Sequence, residues 1–191
     1  MQKFLLALLV AAPALAAFQT PAARTIYTFD PAASHLTWTG YAEIGSWAPT
    51  GTVQLRGGTL TLDANGAIRA GRLEVAMATL THENADLQTH LRAPDFFDVA
   101  RFPVATFVLR TVARDSAFGT LTLKGTTHSL RFPVQVIRSS AGLRLTGTAV
   151  VDRTQFGVRY NSARFFRDLG DQAIRDDFRL TFDVVARPMQ P

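Results

Sequence analysis

The side chains with the greatest chemical reach in this 191-residue chain are four histidines and a scatter of carboxylates and arginines. His35, His82, His90 and His128 do not have metal-ligand spacing: His82-Glu83 opens no H-E-x-x-H helix, and His82 and His90 lie eight positions apart. Asp95 and Asp98 could be read as a general acid/base pair. Each also has a plain structural reading, Asp95 capping the turn after Pro94 and Asp98 pairing with Arg101 or water. There is no G-x-S-x-G elbow and no phosphate-binding glycine loop. The absence of cysteine excludes a thiolate nucleophile and thiolate metal ligands. His90 and Arg92 are the pair that could meet a ligand, because arginine clamps an anionic head group well; alternatively, both orient the element that carries them. The expectation is a binding protein with no catalytic residue, no metal and no cofactor.

That element runs from Asn84. Asn84 can cap a helix, Asp86 suits its positive first turn, and Leu87 and Leu91 share a face. Arg92 suits the last turn and Pro94 blocks continuation. Almost everything else reads as strand. Leu36, Trp38, Gly40, Ala42 and Ile44 alternate with polar neighbours, as do Val53 and Leu55, Leu60 and Leu62, and Leu73, Val75 and Met77. Gly57-Gly58 and 63–66 read as turns. Strand 104–112 follows the helix, and three further inward rows begin at Leu121, Leu130 and Leu143. Residues 153–176 are less regular, and 177–187 close the chain as a strand with Phe178, Leu180, Phe182 and Val184 on one face. Helical crossovers are missing, so the eight or nine strands should form an antiparallel sheet. A sheet this wide packs as a sandwich or closes into a barrel, and a barrel with a short helical plug across one end is the expectation.

Composition bounds the rest. Lys3, the apolar run 4–12 and Ala14-Leu15-Ala16 form a secretory signal peptide cleaved after Ala16, too short to span a membrane. Residues 17–25 read as a flexible leader and 26–187 as one domain, exported to the periplasm or beyond without a stable membrane anchor. The net charge of +5 is spread along the strands with no basic run, which argues against a nucleic-acid partner. A homodimer is left open.

Inward rows of Leu, Val, Phe, Trp and Met occur in any β core. Small inward residues (Gly40, Ala42, Gly147, Ala149) and fourteen phenylalanines favour a hollow. Several stretches then resemble one family. They are Tyr27-Thr-Phe-Asp30 with Ser34-His35-Leu36, His90-Leu-Arg-Ala-Pro-Asp-Phe-Phe-Asp98 with Phe102-Pro103, and Phe118-Gly-Thr-Leu-Thr-Leu-Lys-Gly-Thr-Thr-His128 with Phe132-Pro133-Val134. Asp152-Arg-Thr-Gln-Phe-Gly157 and Ile174-Arg-Asp-Asp-Phe-Arg-Leu180 complete the set. In order and spacing these resemble the YceI-like, polyisoprenoid-binding exported proteins. The chain departs from the family at 79–85, where His82-Glu83-Asn84 stands in place of a Gly-Asn pair.

The resemblance implies an all-β, antiparallel, eight-stranded lipocalin-like barrel whose apolar tunnel holds an isoprenoid, an isoprenoid quinone or another long-chain lipid. Phe96, Phe97 and Phe102 would wall one end. Leu36, Trp38, Leu73, Val75 and Met77 would line the tunnel from the early strands, and Leu121, Leu123, Phe132, Leu145 and Phe182 from the later ones. Trp47 and Phe156 are candidates for the mouth. The rivals are an enzyme acting on an apolar substrate and an interaction protein with a solid core.

Overall fold

The structure, a computed structural model, describes residues 24–189. The expected signal peptide and most of the expected leader lie outside the described residues. Eight strands follow one another: β1 Thr25–Thr39, β2 Thr50–Leu62, β3 Ile68–Ala76, β4 Val104–Ala113, β5 Ser116–Leu123, β6 Thr126–Ser139, β7 Gly142–Asp152 and β8 Asp177–Pro188. Each pairs antiparallel with the next, and β8 returns to β1, so the sheet closes on itself and leaves no free edge. In such a meander, alternate connections fall at the same end. One end carries the turns 63–67, 114–115 and 140–141. The other carries the longer connections 40–49, 77–103 and 153–176 and the tight Lys124-Gly125 turn, whose residues have φ of 48° and 75°, as a two-residue hairpin requires.

Two strand expectations need correction. Gly57-Gly58 is not a turn: β2 runs straight through it, with its register against β3 slipping between Leu55 and Gly57. Gly58 adopts φ of +140°, and a Cβ there would meet the Arg72 carbonyl oxygen, so the pair makes a β-bulge. The first strand also does not reach Ile44. It ends at Thr39, where its registers with β2 (Thr50) and β8 (Arg179) both stop, and Ile44 is exposed. The alternation beyond Thr39 outruns its pairing partners. Earlier in β1, Pro31 interrupts the ladder. Asp30 Oδ1 accepts from the Ala32 and Ala33 amides, and Ser34 Oγ accepts from the Val185 amide, so the slip is held by specific hydrogen bonds.

The one α-helix among the described residues, α1 (Ala85–Arg92), forms as its end signals require. The Asn84 side chain accepts from the Leu87 amide at 2.9 Å, Asp86 stands in the first turn and Arg92 in the last. Short 3-10 turns at Met77–Thr79, Arg153–Phe156 and Gly170–Gln172 punctuate the long connections.

Candidate ligand-binding cavity

Inward side chains from all eight strands and from α1 surround a cavity of about 500 Å³, within the ~300–1,000 Å³ typical of small-molecule sites. Its wall is almost wholly apolar. Leu36, Trp38, Leu73, Val75, Met77, Leu121, Leu123, Phe132, Leu145 and Phe182 all face it, as do Phe96 and Phe97. Toward the short-turn end, Leu60, Leu62, Ile68, Leu143 and Ala186 are buried and lie off the cavity wall, whereas Val112 and Ala117, beside the 114–115 turn, lie on it.

Glycine shapes the wall differently from the expectation that Gly147 leaves open space. Phe182 of β8 covers Gly147 of β7, and Phe107 of β4 covers Gly119 of β5. Both rings reach Phe132 of β6, at centroid distances of 5.4 and 5.1 Å. The glycines let large rings lie along the wall instead of projecting into the lumen. Trp38 lies over Gly51 in the same way, and its Nε1 donates to the Thr81 carbonyl at 3.2 Å, which ties the chain entering α1 to the barrel.

α1 presents Leu87, His90 and Leu91 to the cavity. His90 Nε2 lies 3.0 Å from Asp95 Oδ2, and the ring meets Tyr160 edge-on at 4.3 Å. Asp95 therefore orients His90 rather than capping the turn after Pro94. Asp98 forms no ion pair among the described residues; it takes φ of 47°, and its carbonyl accepts from the Arg101 and Phe102 amides. Arg101 instead stacks over Phe102.

Three expected site residues are not on the cavity wall. Arg92 donates through Nε and Nη2 to the Leu80 carbonyl, at 3.1 and 2.5 Å, so it clamps the segment before α1 and is turned from any ligand. Phe102 is held outside, against the Lys124-Gly125 turn, where a Cβ on Gly125 would meet its ring at 2.6 Å. Phe156 is buried, not at the mouth. Its ring meets His128 of β6 at 5.3 Å, in the gap left where β7 pairs with β6 only between Val134 and Ser139.

The 40–49 loop and the 153–176 connection flank the mouth. Trp47 stands there, 55% exposed, with Tyr41, Tyr160, Gln172, Arg175 and Asp177. Arg175 makes a forked pair to Asp177 at 2.9 and 3.0 Å and lies over the Tyr41 ring. Phe107 could have been found from the Ala105, Phe107, Leu109 alternation in β4. Tyr160 and Arg175 come from an aperiodic segment and carry no such signal.

Behind the mouth, Arg153 is 2% exposed and donates to the carbonyls of Arg175, Val158 and Ile174 at 3.0 to 3.1 Å. Burial lowers its pKa, and Asp176, 3.8 Å away, and Asp152 oppose that shift. Arg164 bridges Asp152 and Asp176 at 3.6 and 3.7 Å. Burial works against the Asp152 charge, but hydrogen bonds from Thr154 and Gln155 outweigh it and hold the carboxyl below its usual value. Arg153, Arg164, Asp152 and Asp176 thus form one ion-pair network. It fastens the 153–176 connection over the barrel.

The barrel is shared with solved structures whose sequences have drifted far from this one. Burkholderia cenocepacia BcnA is 20% identical and aligns with a TM-score of 0.64 over 82% of this chain and 98% of its own. A Saccharophagus degradans structure described as a polyisoprenoid binding domain implicated in plant cell wall breakdown is 13% identical, with a TM-score of 0.65 over 85% of this chain and 98% of its own. Among curated sequences, a UPF0312 protein of Staphylococcus aureus is 30% identical over 93 residues. That match takes in 45% of this chain, and the chain spans only 54% of that relative's length. The profile of the YceI-like domain matches residues 27–186, from the start of β1 to the closed-end stretch of β8. Closed barrel, apolar cavity and capping helix thus occur in a chain that belongs to the YceI-like domain family.

Proposed function

We propose that this protein binds a long-chain amphiphile of the isoprenoid class, tail inward, in the barrel cavity. The observation that carries the reading is the size and chemistry of that cavity: about 500 Å³, apolar over most of its wall and rimmed by polar groups beside the long connections. A tail entering it gains ~0.8 kcal/mol for each CH₂ removed from water, which needs no charged contact inside. The likeness to a polyisoprenoid binding domain supports this class of ligand. At the rim, His90, Tyr160 and Arg175 can meet a head group, which is where an amphiphile entering tail first leaves it. The role is sequestration or carriage rather than catalysis. The signal-peptide reading of the N-terminus supports a role outside the cytoplasm.

Organic extraction of purified full-length protein, followed by mass spectrometry, should release an isoprenoid or similar lipid. Val75→Trp, which puts an indole into the lumen, should abolish loading and leave the β-type circular dichroism unchanged. Normal loading by that variant would overturn the reading. A turnover of apolar substrate lost on changing His90 or Asp95 would favour an enzyme instead.

A further inference from the structure

Around the cavity mouth the protein exposes large apolar side chains that no element among the described residues covers. Ile44 and Trp47 project from the 40–49 loop, 67% and 55% exposed. Phe165 and Phe166 project from the 153–176 connection, 42% and 49% exposed, and Tyr160 beside them is also exposed. The two loops are joined, since the Glu43 amide donates to the Ala173 carbonyl at 2.8 Å and Ala42 bridges Ile174.

The exposure is built into the backbone. The Phe165 and Phe166 amides both donate to the carbonyl of fully buried Ser162, at 3.0 Å, forming a tight turn that throws both rings outward. The base of that finger is pinned where the Asn161 side chain donates to the Gln172 carbonyl and the Ile174 amide donates to the Asn161 carbonyl.

Charge accompanies the rings. Residues 159–167, Arg-Tyr-Asn-Ser-Ala-Arg-Phe-Phe-Arg, hold three arginines and no carboxylate. Arg159 lies over the Phe165 ring at 4.7 Å, and Arg167 makes no ion pair among the described residues. Asp168 and Asp171 follow on the next turn and Glu43 lies in the facing loop, so the positive field is local to the finger. Aromatic side chains flanked by arginine suit the boundary between headgroups and acyl chains of an anionic bilayer.

We propose that this end of the barrel docks on the headgroup layer of an anionic phospholipid membrane, with Trp47, Phe165 and Phe166 inserted and Arg159 and Arg167 against the phosphates. Trp47 and Tyr160 belong both to this surface and to the cavity wall. An apolar tail could therefore pass from the acyl layer into the barrel without crossing water. The purpose of the docking rests on the lipid-binding reading above; the docking itself is measured separately.

Full-length wild-type protein should co-sediment with vesicles of phosphatidylcholine and phosphatidylglycerol, with a blue shift of tryptophan emission, and bind phosphatidylcholine vesicles much more weakly. Arg159→Gln combined with Arg167→Gln should weaken binding to the anionic vesicles about twenty-five-fold, roughly fivefold per charge. Phe165→Ser combined with Phe166→Ser should lose sedimentation while retaining the wild-type circular dichroism and uptake of isoprenoid from detergent. Val75→Trp should still sediment. Failure of the wild type to bind, unchanged binding by the phenylalanine variant, or loss of sedimentation in Val75→Trp would overturn the docking proposal, the last by showing that vesicle association is only lipid entering the cavity. A concentration-dependent dimer abolished by the phenylalanine variant, without vesicle binding, would assign the surface to a second copy of the chain. Sedimentation of Val75→Trp alongside normal lipid loading would sink the cavity reading and leave the docking intact.

Discussion

The two ends of this barrel are made from the same strands and do opposite things. At the short-turn end, Leu60, Leu62, Ile68, Leu143 and Ala186 meet one another and shut out water. At the other end the strands hold their side chains against the wall, and the space between them stays open. The difference arises from which residues face each other across the lumen. Gly119 and Gly147, at mid-strand, and Gly51, beside the 40–49 loop, accept rings from neighbouring strands, and α1 spans the opening with only Leu87, His90 and Leu91 reaching inward. One end supplies stability and the other supplies volume.

Truncation should separate them most clearly. Leu60→Ala, at a fully buried position of the closed end, should cost about 3 kcal/mol in chemical denaturation. Leu73→Ala, on the cavity wall and only half-buried, should cost about 1 kcal/mol and enlarge the ligand space. Equal costs would mean that the cavity is closed in solution.

Filling a glycine site tests why the wall is open. A Cβ on Gly147 would lie 2.4 Å from the Pro133 carbonyl oxygen and 2.7 Å from the Phe182 ring. Gly147→Ala should cost about 2 kcal/mol and drive that ring into the lumen, reducing lipid capacity as well as thermal stability.

A smaller effect is expected at the lid. Asn84→Ala removes the cap of α1 and should cost about 1 kcal/mol. Its distinguishing sign is faster exchange of bound lipid, because α1 forms part of the cavity wall, while the closed end keeps its hydrogen-exchange protection.

The smallest effect concerns acid. Hydrogen bonding from Arg144 holds the Asp183 carboxyl below its ordinary value, and Arg187 and Arg69 do the same for Asp30 and Asp63. A folded pKa below the unfolded one adds stability that is present above the unfolded value and lost as pH falls through the folded value. Melting temperature should therefore fall as pH drops below about 4, and Asp183→Asn should make that fall shallower.

Much of this was legible residue by residue. The cap at Asn84, the stop at Pro94 and the inward rows of β3, β5, β7 and β8 all follow from local chemistry that the fold keeps. Arg92 and Phe156 were legible as functional types but not as functional positions. Arg92 turns to the Leu80 carbonyl because an unpaired carbonyl lies in reach, and Phe156 fills a gap that exists only because β7 diverges from β6.

The amino-acid order by itself determined that the chain is an antiparallel β protein with one short capped helix. Period-two alternation and end caps act between near neighbours, so they survive whatever the rest of the molecule does. Only the tertiary structure decided that some inward side chains enclose a cavity while others, such as Leu60 and Leu143, pack away from it. That outcome depends on which side chain lies opposite which glycine across strands up to 35 residues apart, as Phe182 lies over Gly147, and no local pattern records such a meeting.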